Sequence, residues 1–258
     1  MRIARFSADD GVAFGVVDGE PGEELVTRIA GHPFGEIQLT GEPRPLADVR
    51  LVAPVLPSKV VAVGRNYADH AAELGNEVPA EPLIFLKPST SIIGPHETIA
   101  YPEELSKRVD YEGELAVVIG RLCRQVPEER AMEVIYGYTI ANDVTARDLQ
   151  KSDPQWTRGK GFDTFCPMGP WITTDLDVSD LAISTTLGGE VKQSARTSQF
   201  IFGIPHLIAY ISQVMTLLPG DVILTGTPAG VGPMSVGDQV SVTVEGIGTL
   251  TNRVVARD

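Results

Sequence analysis

The apolar runs of this chain are short, rich in Val and Ile, and closed by Gly or Pro: "KVVAVG", "PLIFLKP", "ELAVVIG" and "GDVILTG". Runs of this length suit buried β-strands and leave little room for α-helices. Two clear helical patterns stand out. "NYADHAAELG" predicts a helix stopped by Gly75, and "PEERAMEVIYG" one begun by Pro127 in its first turn. No internal repeat, low-complexity tract or heptad pattern competes with this reading, so the expected fold class is α+β and β-dominated. The 258 residues, 43% of them hydrophobic, suffice for one large domain or a main domain with an appendage. Residues 1–55 alternate short β-like pieces, "RIARF" and "GVAFGVV", with turn-rich stretches such as "GEPRPLADVR". They predict a small β-rich N-terminal domain, followed by a larger domain over residues 56–258.

The formal net charge of −13 argues against nucleic acid or an anionic membrane as the main partner. Cys123 and Cys166 are far apart and lack a paired spacing, which points to free thiols rather than a disulfide or zinc site. "MRIARFSADDG" has no apolar core like that of a signal peptide, and no later window reaches the length of a membrane span. A cytoplasmic protein is expected.

Within "RVDYEGELAVVIG", Glu112 and Glu114 stand where an apolar strand begins. Strand side chains alternate with period two, so both carboxylates point the same way, with Gly113 between them on the other face. Two neighbouring carboxylates repel unless a proton or cation intervenes. The strand "GYTIAND" ends at Asn142 and Asp143, a third carboxylate in an oxygen-rich set that suits Mg²⁺ or Mn²⁺. Spacing alone serves equally well a solvated strand face with Asp143 capping a turn. His70 and Glu73 lie three apart on the predicted helix, where a carboxylate can orient an imidazole that activates water; such pairs are also common on surface helices. His32, His96 and His206 read as turn or cap residues. Lys87 follows an apolar strand, and Lys160 sits between glycines in "RGKGFDTFCPMGPW", a stretch too irregular for a helix. Either lysine can neutralise an anion or an enolate, or simply face solvent. "GDVILTGTPAGVGP" lacks the Lys-Ser/Thr of a phosphate loop, so it reads as a tight turn whose threonine or backbone N–H groups can bind a carboxylate.

Taken in order, "VGRNYADHAAELG", "PLIFLKPSTSIIGP", "DYEGELAVVIG", "GYTIANDVTARDLQ", "WTRGKGFDTFCPMGPW" and "GDVILTGTPAGVGP" resemble the fumarylacetoacetate hydrolase family over residues 59 to about 255. The resemblance implies a mixed β-roll core, a homodimer, and an Mg²⁺ or Mn²⁺ site on Glu112, Glu114 and Asp143. It implies that His70 and Glu73 activate water, that Lys160 holds enolate charge, and that Arg65, Tyr67, Lys87, Arg147, Gln150 and Thr227 contact substrate. The N-terminal residues resemble the appendage of bacterial members that act as 2-hydroxyhepta-2,4-diene-1,7-dioate isomerases or oxaloacetate decarboxylases. The expected activity is metal-dependent chemistry on a 2-oxo acid, foremost C–C hydrolysis of an acylpyruvate. Oxaloacetate decarboxylation, isomerisation of a hydroxydiene diacid and a non-catalytic metal-stabilised binding module are the alternatives.

Overall fold

The computed structural model describes residues 1–8, 11–73 and 75–257. Its centre is a pair of antiparallel strands, Gly113–Ile119 and Ile135–Asn142, in register from Gly113 opposite Asn142. Every residue of Gly113–Ile119 is buried. Leu115, Val117 and Ile119 enter one apolar cluster, which includes Leu207, Ile208 and Ile211 of the helix Ile204–Val214, while Ala116 and Val118 enter another. Burial on both faces explains why this strand reads as a continuous apolar run instead of an alternating one.

From that pair a twelve-stranded mixed sheet extends both ways. On one side lie Val222–Leu224, then Val60–Gly64 parallel to it, then Leu83–Lys87 at the edge. On the other side lie Cys166–Thr173, Arg2–Ala8, Gly11–Asp18, Leu25–Ile29 and Leu39–Pro45. The N-terminal strands therefore continue the main sheet, Arg2 opposite Thr173 and Ile3 opposite Ile172, and Phe6, Val17 and Val26 share an apolar cluster with Leu115 and Trp171. A five-stranded sheet, in the order Glu190–Arg196, Ala182–Leu187, Gln239–Val244, Gly248–Ala256 and Thr98–Tyr101, packs beside it. The molecule is β-dominated, with no closed barrel.

Four local expectations change. "GEPRP" belongs to the exposed strand Leu39–Pro45; this strand forms the sheet's outer edge, where prolines need not donate to a ladder. After Pro127 the chain makes a 3₁₀ segment, Glu128–Val134, because the central strand claims the backbone from Ile135 onward. Lys160 ends a single helical turn, Thr157–Lys160, and a further short helix, Arg147–Ser152, precedes it. The helix around His70 spans Ala68–Glu73, and Leu74 of the predicted helix lies outside the described residues. No helix among the described residues is long and apolar enough to cross a membrane.

Candidate active site

Glu112 sits at a break between two strands. Val109–Tyr111 joins a small sheet with Thr145–Ala146 and Gly232–Pro233, whereas Gly113–Ile119 joins the large one. The break is held by Asn142, whose side-chain oxygen accepts the Glu112 N–H at 2.9 Å, and by the Asp143 N–H, which donates to the Glu112 carbonyl at 2.8 Å. Gly113 is glycine because a Cβ there would lie 2.2 Å from Thr185 Oγ1 and 2.9 Å from Val242. On the opposite face Glu112, Glu114 and Asp143 each bring a carboxylate oxygen to within 4.8 Å of the others, all three buried.

Three buried cations surround this triad. Lys160 Nζ donates to Glu112 Oε2 at 2.7 Å and to Asp143 Oδ2 at 2.6 Å. Arg147 donates to Glu112 Oε1 at 2.5 Å, to Asp110 at 2.8 Å and to Gln150 at 2.6 Å. Lys87 Nζ donates to the Lys160 carbonyl at 2.5 Å and stands 2.6 Å from Asp143 Oδ1, too far off-axis for that contact to be a directed hydrogen bond. Four buried carboxylates, counting Asp110, thus face three buried cations, with the half-exposed Arg108 as a second partner of Asp110. Glu114 is the one of the four without a cationic partner among the described contacts: its oxygen accepts only the backbone N–H of Gly226, at 2.7 Å. Burial and the neighbouring Asp143 and Glu112 carboxylates push the Glu114 carboxyl well above the ordinary range. Burial also opposes ionisation of Glu112, but Lys160 and Arg147 outweigh it and hold that carboxyl far below its usual value. Lys160 is kept charged against its own burial by Asp143 and Glu112. A hard divalent cation fits here, where three oxygen donors converge, Asp143 Oδ1 lacks a directed hydrogen bond and Glu114 lacks a cationic partner.

His70 closes one side of the site. It is buried, with Nδ1 3.3 Å from Glu73 Oε2, and the Glu73 carboxylate accepts the Gly230 N–H at 3.0 and 3.2 Å. Thr227 Oγ1 donates to the Gly113 carbonyl at 2.9 Å and accepts from Gln193 Nε2 at 2.8 Å. The cavity so formed has a volume of about 280 Å³. Arg65, His70, Glu112, Glu114, Asp143, Arg147, Gln150, Lys160 and Thr227 all line it. Glu73 stands behind His70, Lys87 is engaged beneath Asp143, and the Tyr67 hydroxyl is buried without a hydrogen bond, so these three are not on the wall.

Several residues at the site carry no local sequence signal. Asp110 and Asn142 orient Arg147 and Glu112. Gln193 accepts the Gly113 N–H at 3.0 Å and donates to the Pro228 carbonyl at 2.7 Å, tying the Gly-rich turn to the glutamate strand. Phe85 and Trp156 supply the apolar wall. The turn and strand patterns place these residues in elements but say nothing of the contacts between distant elements.

A β-roll whose buried carboxylate triad opens into a small cavity beside a lysine defines a class of protein with a candidate divalent-metal site in a small-molecule-sized cavity. The chain belongs to the fumarylacetoacetate hydrolase family: residues 59–255 match the model for the fumarylacetoacetate (FAA) hydrolase C-terminal region, and residues 1–54 match that for the Rv2993c-like N-terminal region. Protein Rv2993c of Mycobacterium tuberculosis is 60% identical over all of this chain and 99% of its own length. Oxaloacetate tautomerase Fahd2a of Rattus norvegicus is 40% identical over 99% of this chain and 92% of its own. The crystal structure of 2-hydroxyhepta-2,4-diene-1,7-dioate isomerase from Mycobacterium marinum superposes with a TM-score of 0.93 at 56% identity, covering 99% of this chain and 98% of that one. Members of this family are enzymes that depend on divalent metals.

Proposed function

We propose that this chain catalyses keto–enol proton transfer in a short 2-oxo diacid, with oxaloacetate as the type substrate and Mg²⁺ or Mn²⁺ as cofactor. The observation that carries the reading is the charge lining the cavity: the acidic triad and, besides Lys160 and Arg147, the basic side chains of Arg65 and Lys151. A diacid needs both ends recognised, and a guanidinium suits the second carboxylate. The cation supplies charge stabilisation at the substrate's carboxylate and 2-oxo oxygens when bound. Lys160 adds a fixed positive charge beside Glu112 and Asp143, where the 2-oxo oxygen gains electron density in the enol form. His70, with Nδ1 facing Glu73, takes the proton from the carbon next to the 2-oxo group through its other ring nitrogen as the C=C bond forms and the carbonyl pair moves to the oxygen, which takes a proton from solvent; the reverse step returns both. The relative named as an oxaloacetate tautomerase supports this choice.

C–C hydrolysis of an acylpyruvate is the second reading, favoured by the His70–Glu73 pair, which is suited to activating water. Both readings place the chemistry in residues 56–258, with residues 1–55 as a separate sequence unit that extends the sheet. The test follows the ultraviolet absorbance of enol-oxaloacetate and of acetylpyruvate, with added Mg²⁺ or Mn²⁺ and a chelated blank. Metal-dependent loss of the enol signal, with Arg65→Met raising KM for oxaloacetate about tenfold and leaving acetylpyruvate unmoved, supports tautomerisation. Turnover of acetylpyruvate alone transfers the assignment to hydrolysis.

A further inference from the structure

The wall formed by Phe85 and Trp156 has a geometry that the chemistry above does not use. Gly64 lies under the indole: a Cβ at this position would stand 2.9 Å from Trp156 Cζ3 and 3.2 Å from Cη2. The Gly64 backbone is outside the left-handed region, so its own conformation does not demand glycine. The indole does. On its other side Trp156 meets Phe85 edge-on, with ring centroids 5.2 Å apart, and the Phe85 ring lies 5.1 Å from Lys160 Nζ. The Arg65 guanidinium stands 5.9 Å from the indole centroid. Lys160, Phe85, Trp156 and Arg65 are therefore linked by successive contacts in the cavity wall.

The indole is also fixed relative to the reacting end. Trp156 precedes the helical turn Thr157–Lys160, its carbonyl accepts the Lys160 N–H at 2.9 Å, and Gly159 packs so closely on Gln150 that a Cβ would fall 2.9 Å from the Gln150 nitrogen. One turn thus presents both the ammonium and the ring. The cavity of about 280 Å³ lies just below the range of about 300–1,000 Å³ usual for ligand sites.

We infer that Trp156, seated on Gly64, is the residue that sets substrate length: it stops the chain of a 2-oxo diacid beyond Phe85. This inference rests on the diacid reading above. An acid whose 2-oxo end lies at Lys160 runs along the Phe85 ring and meets the indole. A four-carbon acid ends short of the indole, whereas seven carbons carry the second carboxylate into the ring.

The experiment compares wild type, Trp156→Ala, Trp156→Leu and Gly64→Ala, each metal-loaded, on oxaloacetate and on a seven-carbon 2-oxo diacid, and measures Kd for saturated four- and seven-carbon diacids by calorimetry. In wild type the four-carbon acid is preferred. Trp156→Ala moves the kcat/KM ratio at least tenfold toward the longer acid, and the Kd ratio moves the same way. Trp156→Leu, which keeps apolar cover over Gly64, moves it part of the way. Gly64→Ala drives the indole into the cavity and lowers kcat/KM for oxaloacetate in wild type but not in the Trp156→Ala background. A ratio unchanged within twofold in both Trp156 variants, with turnover retained, overturns the inference and leaves the diacid reading standing. Absence of turnover on every 2-oxo acid in wild type overturns that reading instead, and the Kd ratios alone then decide the role of Trp156.

Discussion

Glu114 offers a direct test of the charge balance at the site. Its carboxylate shares a space within 4.8 Å with those of Glu112 and Asp143, and lacks the lysine or arginine partner that each of them has. At that separation one like-charge pair repels by about 3.5 kcal/mol with an effective dielectric constant of about 20. A bound cation removes this repulsion. At a concentration of 100 Kd it adds about 2.7 kcal/mol to stability, which in a chain of this size raises Tm by roughly 5–11 °C. Glu114→Gln keeps the shape and the hydrogen bond from Gly226 but loses one charge. Metal-free Glu114→Gln is therefore expected to melt above metal-free wild type at pH 7 and to lose most of the cation-induced rise. The pH dependence carries the same signature. Because the native Glu114 carboxyl titrates above its unfolded value of about 4.3, the native metal-free protein holds the extra proton, and stability falls as pH rises from about 4.3 through the raised native value. The slope reaches at most about 1.4 kcal/mol per pH unit. Differential scanning fluorimetry of both proteins across pH, with and without Mn²⁺, measures all of this. A Glu114→Gln variant that keeps the full Mn²⁺-induced rise in Tm refutes the reasoning.

His70→Ala is expected to lower kcat by about 10²- to 10⁴-fold with Tm little changed, read by enol-absorbance kinetics alongside a melt. Gln193→Leu leaves the Gly113 N–H without an acceptor and frees the turn at Thr227 and Pro228, so a loss of about 2–3 kcal/mol in denaturant unfolding is expected. Asp221, far from this chemistry, accepts the N–H groups of Ser58, Lys59 and Leu218, the Ser58 hydroxyl and the Lys59 ammonium. Asp221→Ala should cost on the order of 3–5 kcal/mol in the same assay. Burial opposes ionisation of Asp221, but Lys59 and Ser58 hold its carboxyl below the usual range, so its contribution is present above about pH 3.9 and fades as pH falls through the lower native value.

The strands around the site were legible because both faces of Gly113–Ile119 and Val60–Gly64 are buried, and such strands announce themselves as unbroken Val/Ile runs. The candidate triad was legible from two glutamates at period two and an aspartate at a strand end, although Glu112 turns out to occupy a break between strands of different sheets. What escaped depends on contacts made across the chain. Asp110 acts on Glu112 only through Arg147, and Gln193 meets Thr227 only because one hairpin packs against a turn. The turn Thr157–Lys160 escaped because two of its four residues are Gly159 and Thr157, both weak helix formers; Trp156 packing and the Lys160 ion pairs hold it instead. The N-terminal strands were visible as strands, but nothing in "RIARF" says that its partner lies near residue 172.

That last pairing bears on how the chain is made. Arg5–Ser7 of the strand Arg2–Ala8 pair early with Arg50–Val52, but Arg2 and Ile3 gain their partner on that side only when Cys166–Thr173 has been synthesised, 165 residues after Ala8. At about 5–20 residues per second the delay is roughly 8–33 s, during which the Arg2–Ile3 end of an edge destined for the middle of a twelve-stranded sheet stays open to other strands. Translation speed through the intervening segment, and any chaperone that shields the first hairpin, therefore bear on the yield of this protein as much as its final stability does.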